Sequence, residues 1–219
     1  MVFVRDRPCA TWSARRQTQT GYEKNRNHMT QTQDLSATTT RKLDGKSAVV
    51  AAGAKNLGGL VSRNLAALGA NVAVHYNSDS SRSDAEKTAA AVEEQGAKVV
   101  VVQGDLTVPA NVTALFDAAV EAFGGVDIAV NTVGKVLRKP IVETIEAEYD
   151  SMFDINAKAA YFFIQQAGKR LNDNGTVISI VTSLLAAYTD GYSTYAGGRL
   201  RSSTSREQHP RSSPIAGSR

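Results

Sequence analysis

Short apolar segments rich in β-branched residues alternate with segments of helical periodicity through the middle of the chain. These apolar segments are residues 47–52, 71–76, 98–103, 127–131 and 176–181. Strands that alternate with helices favour βαβ units and a parallel sheet, and right-handed crossovers place helices on both faces of that sheet. The pattern therefore predicts an α/β fold with a doubly wound parallel sheet of five strands.

The segments between these strands carry apolar stripes with the spacing of one helical face. The stripes consist of Leu57, Leu60, Val61, Leu65 and Leu68, of Ala90 and Val92 with neighbouring alanines, and of Val112, Leu115, Phe116, Ala119, Val120 and Phe123. We expect each stripe to face the sheet, and we expect strands that are apolar on both sides because helices cover both faces.

Composition narrows the class of protein further. The chain has 219 residues, of which 42% are hydrophobic, and its only cysteine is Cys9. No apolar run approaches the roughly 20 residues of a membrane span, so no membrane association is predicted. A single cysteine excludes an intrachain disulfide framework and a cysteine-rich metal site, and no metal site is predicted.

The net charge of +4 is concentrated at the two ends of the chain. Residues 1–28 and residues 199–219 each carry +4, whereas residues 29–198 carry −4. Residues 1–43 lack a sustained apolar period, which predicts a disordered N-terminal extension. The arginines of this extension leave open an organellar transit peptide or an arm that binds nucleic acid. A third alternative is that translation starts at Met29, so that the residues before it are not part of the protein. Without a transit peptide we predict a cytoplasmic protein with no nucleic-acid partner.

A glycine-rich turn follows the first strand and opens the first helix. Open α/β sheets bind nucleotides at this place, because small residues let the backbone approach a pyrophosphate whose charge the helix N-terminus attracts. Gly53 lies in this turn. The favoured register aligns Ala52, Asn56 and Gly58, since Asn tolerates the left-handed conformation that Gly usually adopts, and Leu57 then points into the fold. The alternative is a tight strand–helix connection that binds nothing.

The end of the second strand bears on the choice of dinucleotide. An NAD site places an acid there for the ribose hydroxyls, but this strand runs into Asn77 and Ser78 with no acid before Asp79. Lys55 in the glycine-rich turn can meet a 2′-phosphate, unless it is only a solvated surface charge. The sequence therefore favours NADP over NAD.

From this turn onward, over about residues 44–198, the chain resembles the short-chain dehydrogenase/reductase family. That resemblance implies a Rossmann-like sheet. It also implies a nicotinamide cofactor bound by the turn, where KNLG resembles the family's basic-Gly-apolar-Gly segment. The residues implied in the turn are Gly53, Lys55, Asn56, Leu57 and Gly58, with Asn77 and Ser78 after the second strand.

The resemblance extends to the ends of the third and fourth strands. Asp105 and Leu106 follow the third strand, where the family's Asp contacts the adenine ring. The motif NTVG after the fourth strand places Asn131 and Gly134 beside the cofactor, although Thr132 and Val133 depart from the family's Asn-Asn-Ala-Gly.

The same resemblance implies a catalytic set. Asn156 helps to hold a proton-relay water, Ser183 orients the substrate oxygen, and Tyr195 is the general acid/base. Hydride transfer requires a proton to move at the same carbon, which a positioned acid/base supplies. Arg199 stands where the family has a lysine that favours the phenolate and holds the nicotinamide ribose, and a planar guanidinium is not a geometric substitute for an ammonium group.

Residues 199–219 have no helical stripe, whereas the family continues with a long helix and two further strands. If residues 198–201 are encoded GGA-AGG-CTC-CGG, reading from the third base gives Lys-Ala-Pro, and allowed codons extend the shifted frame to KAPVEHFTRAASKELADRGIS. We therefore predict a one-base deletion near codons 196–198, which leaves a non-native basic tail and removes the C-terminal strands. The downstream DNA is then expected to encode a sixth strand in the other frame. The alternative is a disordered Arg/Ser tail with its own role.

The combined interpretation is an NADP-dependent oxidoreductase that transfers hydride between nicotinamide and a small-molecule carbonyl or alcohol. The missing lysine and C-terminal elements predict weak or no activity in this chain. The alternative is a catalytically silent nucleotide-binding protein or a nonfunctional truncated product. The family forms homo-oligomers through the helices after strands four and five, and the missing elements put that assembly in question here.

Overall fold

A computed structural model describes residues 41–186 and 189–203 of the chain. The predicted extension before residue 41 and the predicted tail beyond residue 203 lie outside the described residues.

Within these ranges, strands and helices alternate along the chain as the periodicity predicts. They are β1 (Ser47–Ala51), α1 (Asn56–Ala67), β2 (Asn71–Tyr76), α2 (Arg82–Glu93), β3 (Val99–Gln103), α3 (Pro109–Phe123), β4 (Val126–Asn131), α4 (Glu146–Phe153), α5 (Ala159–Arg170), β5 (Leu171–Ser179) and α6 (Ser193–Ser203). A π-helical turn, Asp154–Lys158, joins α4 to α5. None of the helices in the described ranges is long and apolar enough to cross a bilayer.

The five strands form one parallel sheet in the order β3-β2-β1-β4-β5. Strands β2 and β3 add to one side of β1, and β4 and β5 then add to its other side. This reversal confirms the predicted doubly wound, Rossmann-like topology and places a crevice at the carboxyl ends of β1 and β4.

The two faces of the sheet bury separate apolar clusters. On one face α3 and α5 meet, with the rings of Phe116 and Phe163 fully buried and their centroids 5.1 Å apart. On the other face α1 and α2 bury Ala66 and Val92 against β2. Burial of a large apolar side chain stabilises the fold by about 1.5–3 kcal/mol, so the central strands are fixed from both sides.

The outer strands differ from the prediction that both sides would be buried. Val101 on β3 is 38% exposed, and Ile178 on β5 is 46% exposed. These strands form the two edges of the five-stranded sheet, where the helices do not cover them fully. Strand β5 also covers residues 171–179 rather than the predicted 176–181. Leu171 pairs with Val126 and Thr176 with Ile128, so the polar residues between them bulge out of the register with β4.

Candidate active site

The candidate residues converge on the edge of the sheet formed by the carboxyl ends of its strands. The ends of β1 and β4 lie side by side there, with Ala51 paired with Asn131. The glycine-rich turn follows β1, and helices α4 and α6 pack together beyond the ends of β4 and β5. This edge is the switch point at which open α/β sheets bind ligands.

The turn after β1 contains two residues in the left-handed conformation. Asn56 has φ of 51°, as the favoured register predicts, and Ala52 has φ of 55°. Helix α1 begins at Asn56, directly after the turn that follows β1, and its N-cap residue Lys55 is extended. A lysine side chain has no acceptor for the first-turn N–H groups. The positive end of the α1 dipole therefore faces the crevice, an arrangement that favours an anion.

Gly58 and Gly53 permit a close approach between α1 and the turn. A Cβ on Gly58 would overlap with the carbonyl oxygen of Ala52 and lie 2.8 Å from Oγ1 of Thr132. A Cβ on Gly53 would lie 2.7 Å from the carbonyl oxygen of Val50. Real Cβ atoms essentially never approach closer than 3.0 Å, so both positions exclude a side chain.

Leu57 does not point into the fold, and that part of the prediction is wrong. Its side chain is 49% exposed, and Leu60 of the same predicted stripe is 52% exposed. The buried face of α1 instead contains Gly58, Ser62 and Ala66. These residues recur every four positions along one face, and small side chains there let the helix lie close to the sheet.

Lys55, Asn77 and Ser78 lie at the solvent-facing rim of the turn and of β2. Lys55 is half-exposed, and its Nζ lies 3.7 Å from a carboxylate oxygen of Asp84, a long ion pair that leaves the ammonium group accessible. Asn77 is exposed, and the hydroxyl of Ser78 hydrogen bonds with that of Ser80 at 3.0 Å. Strand β2 contains no Asp or Glu, and the first acid after it, Asp79, pairs with Arg82 at 2.9 Å.

Asp105 and Leu106 form the turn after β3. Leu106 is buried in the core. The exposed Asp105 carboxylate accepts hydrogen bonds from the backbone N–H and the hydroxyl of Thr107, at 2.9 and 2.8 Å. Asn111 donates to the carbonyl oxygen of Asp105 at 2.9 Å. Asp105 is therefore held in one orientation beside the crevice.

The end of β4 is fixed by three polar side chains. Asn131 is buried, donates to the hydroxyl of Ser179 at 3.4 Å and accepts from the N–H of Val133 at 3.0 Å. Thr132, which departs from the family motif, donates to the carbonyl oxygen of Ala51 at 2.7 Å. It thereby links the loop after β4 to the turn after β1.

Asn156 lies in the π-helical turn between α4 and α5 and is fully buried. Its amide nitrogen donates to the carbonyl oxygen of Lys135 at 2.9 Å, and its amide oxygen accepts from the N–H of Lys135 at 3.2 Å. Short π-helical turns occur frequently at functional sites. Here the turn directs Asn156 at the loop after β4 and holds that loop in place.

Helix α6 carries Tyr195 and Arg199 one turn apart. Tyr195 is 8% exposed and Arg199 is 5% exposed. The Cζ of Arg199 lies over the Tyr195 ring, 5.8 Å from its centroid. Nη1 of Arg199 donates to the carbonyl oxygen of Ile180 at 3.0 Å, and the guanidinium fills the space where Gly134 lacks a Cβ. Arg199 is thus an integral part of α6, which continues through Ser203 across the domain boundary predicted after residue 198.

Ser183 is exposed and begins the 3₁₀ turn Ser183–Leu185, which contacts α6. Beside it lies a cavity of about 540 Å³, with Pro140, Ile141, Val142, Leu184, Tyr192 and Ala196 among the residues that line it. The Lys139 N–H donates to the carbonyl oxygen of Gly191 at 2.7 Å and ties two walls of this cavity together. Most of the lining surface is apolar, and Thr189, Asp190 and Ser193 add a few polar groups to it, a combination that suits a small organic ligand.

Sequence reasoning missed the role of His75. Its ring is buried and lies between the turn after β1 and the end of β3, where Nδ1 accepts from the N–H of Ala52 at 3.0 Å. It also missed Thr132 and the fit of Arg199 against Gly134. None of these contacts has a local motif, since each joins residues that are far apart in the chain.

Comparison with known proteins agrees with this geometry. Residues 51–199 match a protein-family model described as enoyl-(acyl carrier protein) reductase. The chain is 32% identical over 164 residues to a hydroxynaphthalene reductase-like protein, Arp2, of Metarhizium brunneum; the match covers 74% of this chain and 60% of that protein. The chain belongs to the short-chain dehydrogenase/reductase family of oxidoreductases.

Solved structures of the same family superpose on the described fold. A protein of Burkholderia cenocepacia assigned as a dehydrogenase, with bound NADP, is 50% identical with a TM-score of 0.71, covering 80% of this chain and 64% of that one. A short-chain dehydrogenase of Burkholderia cenocepacia J2315 in complex with NADP is 30% identical with a TM-score of 0.70, covering 73% of this chain and 65% of that one. The chain thus spans about 60% of the length of its curated relatives.

Proposed function

We propose that this chain binds NADP and is built for hydride transfer between the nicotinamide ring and a small carbonyl or alcohol substrate. The observation that carries the proposal is Tyr195. A buried phenol lies on α6, one turn before Arg199, which joins this helix to the carbonyl oxygen of Ile180 just after β5. Two NADP-bound relatives of this family support the choice of nucleotide.

The residues of the crevice fit a dinucleotide phosphate. The missing side chain of Gly58 lets α1 pack closely against Ala52 and Thr132. The N–H groups at the α1 N-terminus, held in this way, would bind a pyrophosphate. Lys55, Asn77 and Ser78 would face a 2′-phosphate, because this rim offers a cation and small polar groups and no carboxylate from β2.

The remaining candidate residues would contact the other parts of the cofactor. Asp105 and Leu106 would border the adenine ring, and Asn131 with Gly134 would border the nicotinamide end. The exposed Leu57 offers apolar surface to the nucleotide. When bound, NADP supplies or accepts the hydride.

The protein's own groups would then handle the substrate oxygen. In reduction the Tyr195 phenol donates its proton to that oxygen, and in oxidation it takes the proton back. The Ser183 hydroxyl donates a hydrogen bond to the same oxygen and stabilises its developing charge. Asn156 contributes by holding the Lys135 backbone, and the apolar cavity beside Ser183 favours an uncharged substrate.

A catalytically silent nucleotide-binding protein is the second candidate, and Arg199 favours it. The guanidinium hydrogen bonds to the carbonyl oxygen of Ile180 and lies over the ring of Tyr195. Its planar fork places charge differently from the single ammonium group of a lysine, which predicts slow turnover in the chain as it stands.

The test separates binding from turnover in the full chain. NADPH binding is followed by the fluorescence of the nicotinamide, and turnover by NADPH consumption with a panel of small apolar ketones. We expect binding with slow turnover, faster turnover in Arg199→Lys, and loss of that gain when Tyr195→Phe is added. Tyr161→Phe, an exposed tyrosine on α5, is the matched control and leaves turnover unchanged.

The outcomes separate the candidates. Binding without turnover in both the wild-type chain and Arg199→Lys supports the silent protein. A chain that folds and binds neither NADPH nor NADH contradicts both proposals.

A further inference from the structure

His75 connects three consecutive segments of the sheet through its two ring nitrogens. The residue lies near the end of β2 and is 2% exposed. Nδ1 accepts a hydrogen bond from the N–H of Ala52 at 3.0 Å, and Nε2 lies 2.7 Å from the carbonyl oxygen of Gly104. Only the neutral tautomer with its proton on Nε2 satisfies both contacts, because Ala52 presents a donor and Gly104 an acceptor.

Ala52 is the residue that most needs such support. Its φ of 55° is left-handed, a conformation that is unfavourable for a residue with a Cβ. Its carbonyl oxygen is also the atom against which Gly58, in the first turn of α1, closes. The orientation of the Ala52 peptide therefore sets how the turn and the α1 N-terminus face the crevice.

We propose that His75 is a positioning residue of the nucleotide site, which holds the Ala52 peptide in its left-handed conformation through Nδ1 and thereby sets the affinity for the nucleotide phosphates. This inference rests on the proposed function for the identity of the ligand, NADP. The contact between His75 and Ala52 does not depend on that function. The Nε2 contact with Gly104 anchors the ring, while the Nδ1 contact shapes the turn.

Two isosteric substitutions separate the two ring nitrogens. In His75→Asn the amide oxygen can take the place of Nδ1 and accept from Ala52, while the contact with Gly104 is lost. In His75→Gln the amide nitrogen can take the place of Nε2 and donate to Gly104, while the N–H of Ala52 loses its acceptor. Both variants lose one hydrogen bond of comparable type, so each is a control for the other.

The experiment measures three quantities in the wild-type chain and both variants: the NADPH dissociation constant, the midpoint of thermal unfolding, and the hydrogen-exchange rate of the Ala52 amide without nucleotide. We expect His75→Gln to weaken NADPH binding about tenfold, in line with an orphaned buried donor, and to speed Ala52 exchange by a similar factor. His75→Asn is expected to keep both quantities within about twofold of the wild-type chain, although its unfolding midpoint falls.

Equal losses of affinity in the two variants, or losses that follow the unfolding midpoint, overturn the proposal. Unchanged exchange of the Ala52 amide in His75→Gln overturns it as well. If the wild-type chain binds no dinucleotide, the proposed function fails on its own, and the exchange rates still decide whether His75 holds the turn.

Discussion

Replacement of Gly58 by Ala tests the close approach on which the crevice depends. The new Cβ would overlap with the carbonyl oxygen of Ala52 and lie 2.8 Å from Oγ1 of Thr132. Neither atom can yield easily, because the first belongs to the backbone and the Thr132 hydroxyl donates to the carbonyl oxygen of Ala51 at 2.7 Å. Helix α1 must therefore move away from the turn.

The expected cost follows from two opposing effects. Ala in place of Gly within an unhindered helix stabilises it by about 1 kcal/mol. Overpacking a tight contact typically costs about 1–3 kcal/mol. The free energy of unfolding of Gly58→Ala should therefore fall by up to about 2 kcal/mol, and its NADPH affinity should fall by tenfold or more because the α1 N-terminus is displaced.

Urea unfolding followed by circular dichroism gives the first quantity and NADPH fluorescence the second. Gly168→Ala is the matched control, since Gly168 also lies inside a helix and its added Cβ would meet nothing within 4 Å. That control should be more stable by about 0.5–1 kcal/mol and bind NADPH normally. A Gly58→Ala protein that gains stability as the control does and still binds NADPH would refute the close-approach argument.

Two further predictions concern charge. Lys55→Ala should weaken NADPH binding about three- to tenfold and leave NADH binding nearly unchanged, as expected for one charged hydrogen bond at a half-exposed site; Lys87→Ala, the same change at an exposed position on α2, should affect neither. Burial holds the pKa of His75 below its ordinary value, against the opposing effects of the Gly104 carbonyl and Asp105. The unfolded chain then binds the proton more readily, so the free energy of unfolding should decrease as the pH falls below about 6.5. Urea unfolding between pH 5 and pH 8 should show that decrease, and His75→Asn should show less of it; equal slopes in both proteins would contradict the assignment.

The fold was largely predictable because hydrophobic periodicity reports it directly. Strand β2 has the predicted bounds, 71–76, and the third apolar stripe forms the buried face of α3. Strand β5 was misplaced because residues 171–175 are rich in Asn, Asp and Gly, a composition typical of turns. The strand nevertheless begins at Leu171, which pairs with Val126, and the turn-like residues 172–175 form a bulge before regular pairing resumes at Thr176.

Within the candidate site, the sequence predicted a residue's geometry only where that geometry depends on the residue type alone. Asn56 is left-handed because an asparagine tolerates that geometry, so a single position carried the signal. Leu57 was misplaced because an apolar residue in a helical stripe was assumed to be buried, whereas small residues form the face that meets the sheet. His75 gave no signal, because its role depends on Ala52 and Gly104, which follow the neighbouring strands β1 and β3.

Arg199 is buried and hydrogen bonded in this fold, although the family has a lysine at this position. Its position is set by the residues before it: a Cβ on Gly198 would lie 3.3 Å from both the Asn156 Cβ and the Met152 carbonyl oxygen, so α6 already packs tightly against the π-helical turn. The missing Cβ of Gly134 then leaves room for the guanidinium. Arg199, Leu200 and Arg201 are also good helix formers. The helix can therefore continue past residue 199 even if a shifted reading frame encodes these residues. The proposed frame change and a buried Arg199 are therefore compatible. The position of the Arg199 charge is one predicted cause of slow turnover, beside the predicted loss of the C-terminal strands, and it requires no loss of the helix.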